Sequence, residues 1–308
     1  MKSFRTIERR IFGEIMGTDI LIRIASKDAT KLEMEQSVER ALQTMRSFSD
    51  RYSRFIIGNE LWHFNESTGG PVSAELYELL RHANEHFQKT DGYFDPGILP
   101  ALETEGYAGA YSGKITYQPA SFGLLKFDPV TRSVRKPKRL KIDFGGFGKG
   151  YIVDRVMADL AREYPHVLVD AGGDIAVRGS DVGRGESHWV IGVENPVLPS
   201  QSDAYLLILT NQAVATSGKN RRVWKTTGVE KHHLIDPRTN QSSTSDLVAV
   251  TVIAPTCEAA DVLAKTLFLM GSTAAQATAL AKKIPAILFT HDTNIINSYA
   301  QPYVWTTP

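Results

Sequence analysis

Apolar residues at positions 32, 34, 38, 41, 42 and 45 recur at helical spacing and predict an amphipathic helix over 31–48. The same period returns at Leu76, Leu79, Leu80, Ala83 and Phe87, so 73–90 reads as a second helix. Residues 11–25 read as a strand pair around a turn at Gly17, and 167–170 as a short apolar strand that stops at Ala171-Gly172-Gly173-Asp174. Further strands are expected at 189–193, 205–210 and 212–217, and at 247–253, where the pattern alternates and is rich in valine. Helices are expected at 149–163, 257–271 and 273–282, and strands at 286–290 and 296–303 close the chain. Between these elements, 50–65 carries no period and reads as irregular, and 124–142 reads as hairpin strands. The segment 91–113 is rich in Gly and Pro and reads as a loop with a short helical piece.

Strands and helices are interspersed without a regular strand–helix crossover series, so the expected class is α+β. No repeat, low-complexity tract or linker interrupts the chain, and 1–308 is expected to form one domain of closely packed lobes. Its 42% hydrophobic and 22% charged residues are an ordinary globular balance, and a net charge of +1 supplies no global field for nucleic acid. The basic cluster Arg132, Arg135, Lys136, Lys138, Arg139 and Lys141 reads as a solvated face, since no aromatic stacking pattern accompanies it. A single cysteine, Cys257, excludes intramolecular disulfides and thiolate zinc clusters. No run of 18 apolar residues could span a membrane, and residues 1–10 lead into no apolar signal core and carry no lipid-attachment cysteine. A cytoplasmic protein without stable membrane insertion is therefore expected, as a monomer or a homodimer.

Chemistry concentrates in a few stretches. Asp143-Phe144-Gly145-Gly146-Phe147-Gly148-Lys149-Gly150 puts a carboxylate, four glycines and a lysine at a helix start, a composition suited to a phosphorylated ligand or to a tight strand-to-helix turn. Its spacing is wrong for a dinucleotide fingerprint, and no Ser or Thr follows Lys149 as in a phosphate loop. Asp170 to Asp174 is a second glycine turn, and Thr216-Ser217-Gly218 a strand end with hydroxyls, followed by Lys219, Arg221 and Arg222. In His232-His233-Leu234-Ile235-Asp236-Pro237-Arg238-Thr239, His233 is a candidate proton shuttle and Asp236 a candidate activator of a hydroxyl, with a structural pair as the alternative. Asp261 and Lys265 share one helix face, either as an ion pair or at a phosphate or magnesium site.

Taken in series, these stretches resemble the ApbE family, the FAD:protein FMN transferases. The resemblance starts at Met16-Gly17-Thr18 and runs through Arg51 to Phe55, Glu60 to Asn65 and Thr90 to Pro96. It continues through Asp143 to Asp154, Asp170 to Ile175, Ala215 to Gly218, His233 to Thr239 and Thr251 to Gly271. The resemblance implies an α+β fold with FAD held in a cleft between two lobes, and cleavage of the FAD pyrophosphate. FMN then passes to a Ser or Thr hydroxyl of a target flavoprotein as a phosphoester, and AMP is released. It implies Mg2+ held by the Asp261 carboxylate and the Gly148 carbonyl, and catalytic roles for His233, Asp236, Asp261 and Lys265. Met16, Gly17, Thr18, Tyr93, Asp95, Gly145, Gly146, Phe147, Lys149, Asp154, Ser217, Gly218 and His233 are the implied FAD contacts; Asp95 and Asp154 have bracing of loops as their alternative.

The chain departs from the family pattern at four places. Lys265 stands where the resemblance expects a threonine hydroxyl on the metal, and an ammonium has no lone pair to give. Thr266, next in sequence, lies about 100° round the helix. Lys219-Asn220 replaces Asp-Tyr, Gly97 a common Thr, and Asn240 a Gly. The added lysines make the site more cationic, which favours FAD phosphates and disfavours a metal ion. Three activities stay open at this level: FMN transfer, magnesium-dependent FAD hydrolysis to FMN and AMP, and FAD binding without catalysis.

Overall fold

The computed structural model describes residues 3–107, 120–197, 204–226, 228–292 and 294–304. The chain falls into two compact units: Met1–Ser49, Gly148–Gly218 and Asp246–Pro308 form unit 1, and Asp50–Phe147 with Lys219–Ser245 form unit 2. In chain order the elements are β1 (Arg5–Ile15), β2 (Thr18–Ser26), α1 (Lys31–Tyr52), α2 (Glu60–Glu66), β3 (Gly69–Pro71) and α3 (Ala74–Lys89). Next come α4 (Leu99–Thr104), β4 (Lys126–Asp128), β5 (Ser133–Arg135), α5 (Gly148–Glu163), β6 (His166–Ala171), β7 (Asp174–Arg178) and β8 (Trp189–Val193). These are followed by β9 (Tyr205–Leu209), β10 (Ala213–Gly218), β11 (Val223–Thr226), β12 (Val229–His232), β13 (Ile235–Asp236) and β14 (Gln241–Ser242). The last are β15 (Leu247–Ala254), α6 (Cys257–Met270), α7 (Ser272–Lys282), β16 (Ala286–Thr290) and β17 (Ile295–Ser298).

Unit 1 is built on an eight-stranded sheet in the order β1-β2-β6-β7-β10-β15-β16-β17, with antiparallel neighbours throughout. Strand β15 is buried along its whole length, which explains its near-continuous valine-rich run. Adjacent residues of a strand point to opposite faces, and here each face has its own cover. Val214, Ala249, Ile253, Ile287 and Phe289 pack with Trp189, Ile191, Leu207 and Leu209 of the β8–β9 hairpin. Ala215 and Ala254 pack with Ala260 of α6, while α5 lies against β6, β7 and α6. Small residues on this second face let α6 approach the strands closely. The approach of α5 is tighter still: a Cβ at Gly150 would lie 2.6 Å from the Cys257 carbonyl oxygen.

Unit 2 carries the three-stranded sheet β3-β5-β4, the hairpins β11–β12 and β13–β14, and helices α2, α3 and α4. Helix α3 starts and stops where its pattern predicts, with the Ser73 side chain accepting from Leu76 N and Thr90 closing the far end.

Four expectations are corrected. Part of 50–65 is helical: α1 runs on to Tyr52, and Asn59 caps α2 by accepting from Trp62 N at 2.8 Å. A seven-residue helix is too short to show a period. Within 124–142 only β4 and β5 are strands, and 296–303 leaves the sheet after Ser298 for a 3-10 turn over Gln301–Tyr303. The basic cluster is not one solvated face, because Lys136 and Lys141 are buried. Lys136 Nζ donates to the carbonyl oxygens of Asn65, Ser67 and Leu140 at 3.1, 2.8 and 2.9 Å, and Lys141 Nζ donates to Asn65 O and Glu66 Oε1 at 2.7 Å each. The two ammoniums satisfy carbonyls around the end of α2 that the helix leaves unpaired. The loop with a short helical piece expected over 91–113 is present, with α4 as that piece and a 3-10 turn at Pro96–Ile98, and its part beyond residue 107 lies outside the described residues.

Candidate active site

In unit 1 the functional candidates are joined by a chain of contacts that starts at the β1–β2 turn. Ile15 pairs with Thr18, leaving Met16 and Gly17 as a two-residue turn with φ of 54° and 62°. Positive φ at both positions is the type I′ pattern, which Gly accepts freely and Met only at some cost. Thr18 then lies against the β6–β7 turn: a Cβ at Gly172 would meet its Oγ1 at 1.9 Å. Gly172 and Gly173, with φ of 68° and 93°, set Asp174 at the start of β7. The Asp174 carboxylate pairs with Nζ of Lys149, in the first turn of α5.

Asp261 and Lys265, on α6, complete this cluster of two carboxylates and two ammoniums. Lys265 Nζ lies 3.4 Å from Asp261 Oδ1, while the buried Oδ2 has no hydrogen-bond partner among the described residues. Burial and the charge of Asp261 push the Asp174 carboxyl above the usual carboxylate range, with Lys149 pulling it back. Burial opposes charge on Lys149, but Asp174 and Asp261 outweigh it and raise the lysine. Burial and the carboxylates of Asp174, Asp154 and Asp261 push the Cys257 thiol well up, so Cys257 is an inert core thiol. Asp174 carried no site role in the sequence reading. Its signal was a carboxylate directly after a Gly-Gly turn.

Other candidates in this unit act on the frame. Asp154 spends both carboxylate oxygens on the N-terminus of α6, accepting from Cys257 N at 2.7 Å and Glu258 N at 2.8 Å. This is the bracing alternative for Asp154. Ser217 is buried, and a Cβ at Gly218 would lie 3.2 Å from the Ala249 Cβ. Thr216 Oγ1 and Thr251 Oγ1 lie 2.8 Å apart across β10 and β15.

In unit 2, Asp236 is held by Arg238. Its Oδ1 accepts from Arg238 N and Nε at 2.9 Å each, and its Oδ2 from Arg238 Nη2 at 2.6 Å. Burial works to raise this carboxyl, but the bonds from Arg238 outweigh it and hold the pKa below the usual range. Arg238 also lies over the Tyr93 ring, 4.5 Å from its centroid, and donates to Tyr93 Oη at 2.9 Å. The carboxylate, guanidinium and ring thus form one assembly, in which sequence reading missed Arg238. His233 is half-buried in the bend between β12 and β13. Its neighbour His232 contacts Ser243 O through Nε2 at 3.0 Å and accepts from Leu234 N through Nδ1, and burial lowers its pKa. That pattern fixes a neutral, structural imidazole.

Asp95 braces a loop: its Oδ1 accepts from Gly97 N at 2.7 Å and Phe122 N at 3.1 Å, and burial raises its pKa against those bonds. Gly145 N donates to Asp143 Oδ1 at 2.8 Å, and Gly146 follows in the same turn. The Phe147 side chain is fully buried against Phe94 and Phe144, so only its main chain is available to a ligand.

The residues expected to hold Mg2+ can be tested on this geometry. Among the described residues, no three His, Cys, Asp or Glu side chains converge as metal ligands. Asp261 is one carboxylate, and an ammonium already stands 3.4 Å from it. Gly148 opens α5, where its carbonyl belongs to the helix's own ladder. A divalent ion bound at Asp261 would sit within about 4 Å of Lys265, a repulsion of roughly 8 kcal/mol at an effective dielectric constant of about 20. As arranged, these residues do not fit a resident divalent cation.

Comparison with known proteins places the fold and the family. The FAD:protein FMN transferase of Vibrio cholerae is 27% identical over 304 residues, covering 94% of this chain and 89% of its own. The FAD:protein FMN transferase of Treponema pallidum is 30% identical over 296 residues, covering 89% of this chain and 81% of its own. Among solved structures, the ApbE protein of Thermotoga maritima superposes with a TM-score of 0.85 at 26% identity, covering 97% of this chain and 98% of that one. The flavin transferase ApbE of Vibrio cholerae, at 23% identity, supports the mixed α+β fold with a TM-score of 0.81 and covers 97% and 99% of the two chains. With the family's sequence pattern matched from residue 16 to residue 288, this chain belongs to the ApbE family.

Proposed function

We propose that this chain transfers the FMN moiety of FAD to a Ser or Thr hydroxyl of a target flavoprotein. The hydroxyl oxygen attacks the phosphorus on the flavin side of the pyrophosphate, a new P–O ester bond forms, and the bridging P–O bond breaks. AMP leaves with the bond's electron pair. Such a reaction asks for positioning, neutralisation of phosphate charge and an acceptor for the hydroxyl proton. The observation that carries the reading is the unit 1 cluster, where Lys149 and Lys265 supply positive charge beside two buried carboxylates. Two relatives, matched over 89% and 81% of their own length, bear the name FAD:protein FMN transferase, which supports FAD as donor and a protein as acceptor.

Within this reading, Asp261 Oδ2, buried and open as an acceptor, takes the hydroxyl proton as the ester bond forms. Lys149, paired with Asp174 at the N-terminus of α5, fixes phosphate charge beside the main-chain N–H groups of that helix. Met16, Gly17, Thr18, Ser217 and Gly218 supply main-chain edges and hydroxyls to the dinucleotide. In unit 2, Asp236 with Arg238 and Tyr93 holds the segment that carries His233.

The test is the intact mass of an acceptor domain bearing a Ser/Thr flavinylation motif after incubation with this protein and FAD. A gain of one FMN residue together with free AMP is expected. Free FMN and AMP with an unmodified acceptor would assign hydrolysis instead, and intact FAD would remove both reactions.

A further inference from the structure

We infer that the outer edge of β1 is a self-pairing surface. A second copy of this chain adds its own β1 antiparallel to the first, across a two-fold axis at Arg9, and joins two eight-stranded sheets into one. The surface shares no residue with the charged cluster of α5 and α6 and does not depend on the reaction proposed for it.

Strand β1 ends the sheet, and β2 is its one neighbour among the described residues. The antiparallel alternation fixes which main-chain groups point outward. Gly172 N donates to Asp19 O at 2.9 Å, so the odd residues of β2 turn their N–H and C=O groups to β6. Its even residues turn to β1, where Ile20, Ile22 and Ile24 pair with Ile11, Arg9 and Ile7. Thr6, Glu8 and Arg10 therefore direct their N–H and C=O groups away from the sheet. Residues 5–14 are exposed except Ile7 and Ile11, which are half-buried. Edge strands are commonly guarded by proline, by a bulge or by repelling charge. Here β1 has no proline, and its bulge lies towards the turn, between Ile11 and Ile15.

The charges of β1 complement each other in one register. A two-fold axis at Glu8 would oppose Glu8 to Glu8 and Ile7 to Arg9, and an axis at Arg10 would oppose Arg10 to Arg10 and Arg9 to Ile11. An axis at Arg9 opposes Glu8 to Arg10 and Ile7 to Ile11, each of them twice. It also lays Phe12, 67% exposed, over Thr6 of the second copy. Opposite charges and apolar residues directly across a ladder stabilise it, and like charges do the reverse. Both ionic partners are available: Glu8 meets Arg23 through Oε2 alone and stays 39% exposed, and the Arg10 side chain has no ion pair among the described residues. Arg9 opposite Arg9 is the one like-charge pair. Its face compensates, because Arg9 lines a groove of about 660 Å³ together with Glu35 and Glu39 of α1. The two-fold puts both grooves on the same side of the joined sheet, so the acids of both helices stand beside the two arginines. Closed pairing of this kind leaves no free edge at β1 in either copy.

The experiment is sedimentation velocity of the full chain over a concentration series, with thermal melts of each variant to confirm folding. Wild type is expected to dimerise. Arg10→Glu sets a glutamate against Glu8 at both pairs and should weaken the dimer about tenfold or more. Arg9→Cys brings its two copies to a non-hydrogen-bonded pair, where Cα atoms lie about 4.5 Å apart, so mild oxidation should link it into a covalent dimer. Phe12→Cys faces Thr6 rather than its own counterpart and should stay unlinked under the same conditions. The native Cys257 is buried and offers no competing thiol. A wild type that stays monomeric at every concentration overturns the inference. So does a dimer that Arg10→Glu leaves unchanged, or one in which Phe12→Cys links as readily as Arg9→Cys. If Arg10→Glu does not fold, the contrast between Arg9→Cys and Phe12→Cys decides.

Discussion

Asp154 Oδ1 accepts the main-chain N–H of Cys257 at 2.7 Å, so the carboxylate of one helix caps the next. Its Oδ2 does the same for Glu258 at 2.8 Å. Gly150, one turn earlier on α5, makes the arrangement possible, since a Cβ there would lie 2.6 Å from the Cys257 carbonyl oxygen and 2.7 Å from Glu258 N. Lys149 sits next to the first of these residues and Asp261 one turn beyond the capped end. The junction therefore sets the spacing of the charged cluster. Asp154→Ala leaves two buried donors without that acceptor and is expected to destabilise the chain by about 1–3 kcal/mol. Asp154→Asn keeps one acceptor and should lose less. Urea unfolding of the two variants checks the order, and equal midpoints for Asp154→Ala and wild type would remove the capping role.

Asp261 offers a test that separates binding from chemistry. Asp261→Asn removes a negative charge beside Lys149 and Lys265, so FAD affinity should hold or rise. The amide is a poor proton acceptor, so the transfer rate should fall by about 10²-fold or more. A low kcat with an unchanged or lower KM for FAD is the expected signature. Matched losses in both would make Asp261 a binding residue only.

Most of the frame was legible because it follows period and punctuation. Helix α3 shows both: an apolar stripe, a Ser73 cap and a Thr90 stop. Strand β15 reads from its valines alone. Helix α2 was missed because seven residues hold too few apolar positions to show a repeat. Lys136 and Lys141 were misplaced because a lysine-rich run looks solvated until the carbonyls that receive its ammoniums are known. At the site, resemblance and residue type picked out Lys149, Asp261 and Lys265, which the fold gathers on α5 and α6. Asp174 and Arg238 stayed hidden because their partners, Lys149 and Tyr93, are 25 and 145 residues away in sequence.

Asn240 stands where a glycine was expected, and it has φ of 58°. Its N–H donates to Asp236 O at 2.7 Å, which closes the turn that Asp236 and Arg238 brace from the side chains. Asparagine is among the few residues that take this conformation at low cost, so the departure keeps the turn. Asn240→Gly should leave stability within about 0.5 kcal/mol of wild type, whereas Asn240→Val, branched at Cβ, should lose about 1–2 kcal/mol. Thermal melts of the two variants check this. A neutral valine would show that the turn does not constrain the segment carrying His233.

Lys136 gives the chain a pH dependence of definite sign. Burial first, and then the nearby Lys141 charge, push its pKa down to about 7, with Glu66 acting in the opposite direction. In the unfolded chain the same amine titrates near its ordinary value of about 10.4. Between these two values the unfolded state holds a proton that the folded state has released, so stability rises with pH across that window. The slope from one such group is at most about 1.4 kcal/mol per pH unit. Lys136→Arg keeps a cation opposite the carbonyls of Asn65, Ser67 and Leu140 but cannot release its proton in this range, so the rise should flatten. Urea midpoints of wild type and Lys136→Arg at pH 6.5 to 9.5 measure the difference, as an order-of-magnitude window set by those two values of roughly 7 and 10.4. Every other titrating group is common to both proteins. Parallel profiles would mean that Lys136 stays charged throughout, held by its three carbonyl acceptors against the cost of burial.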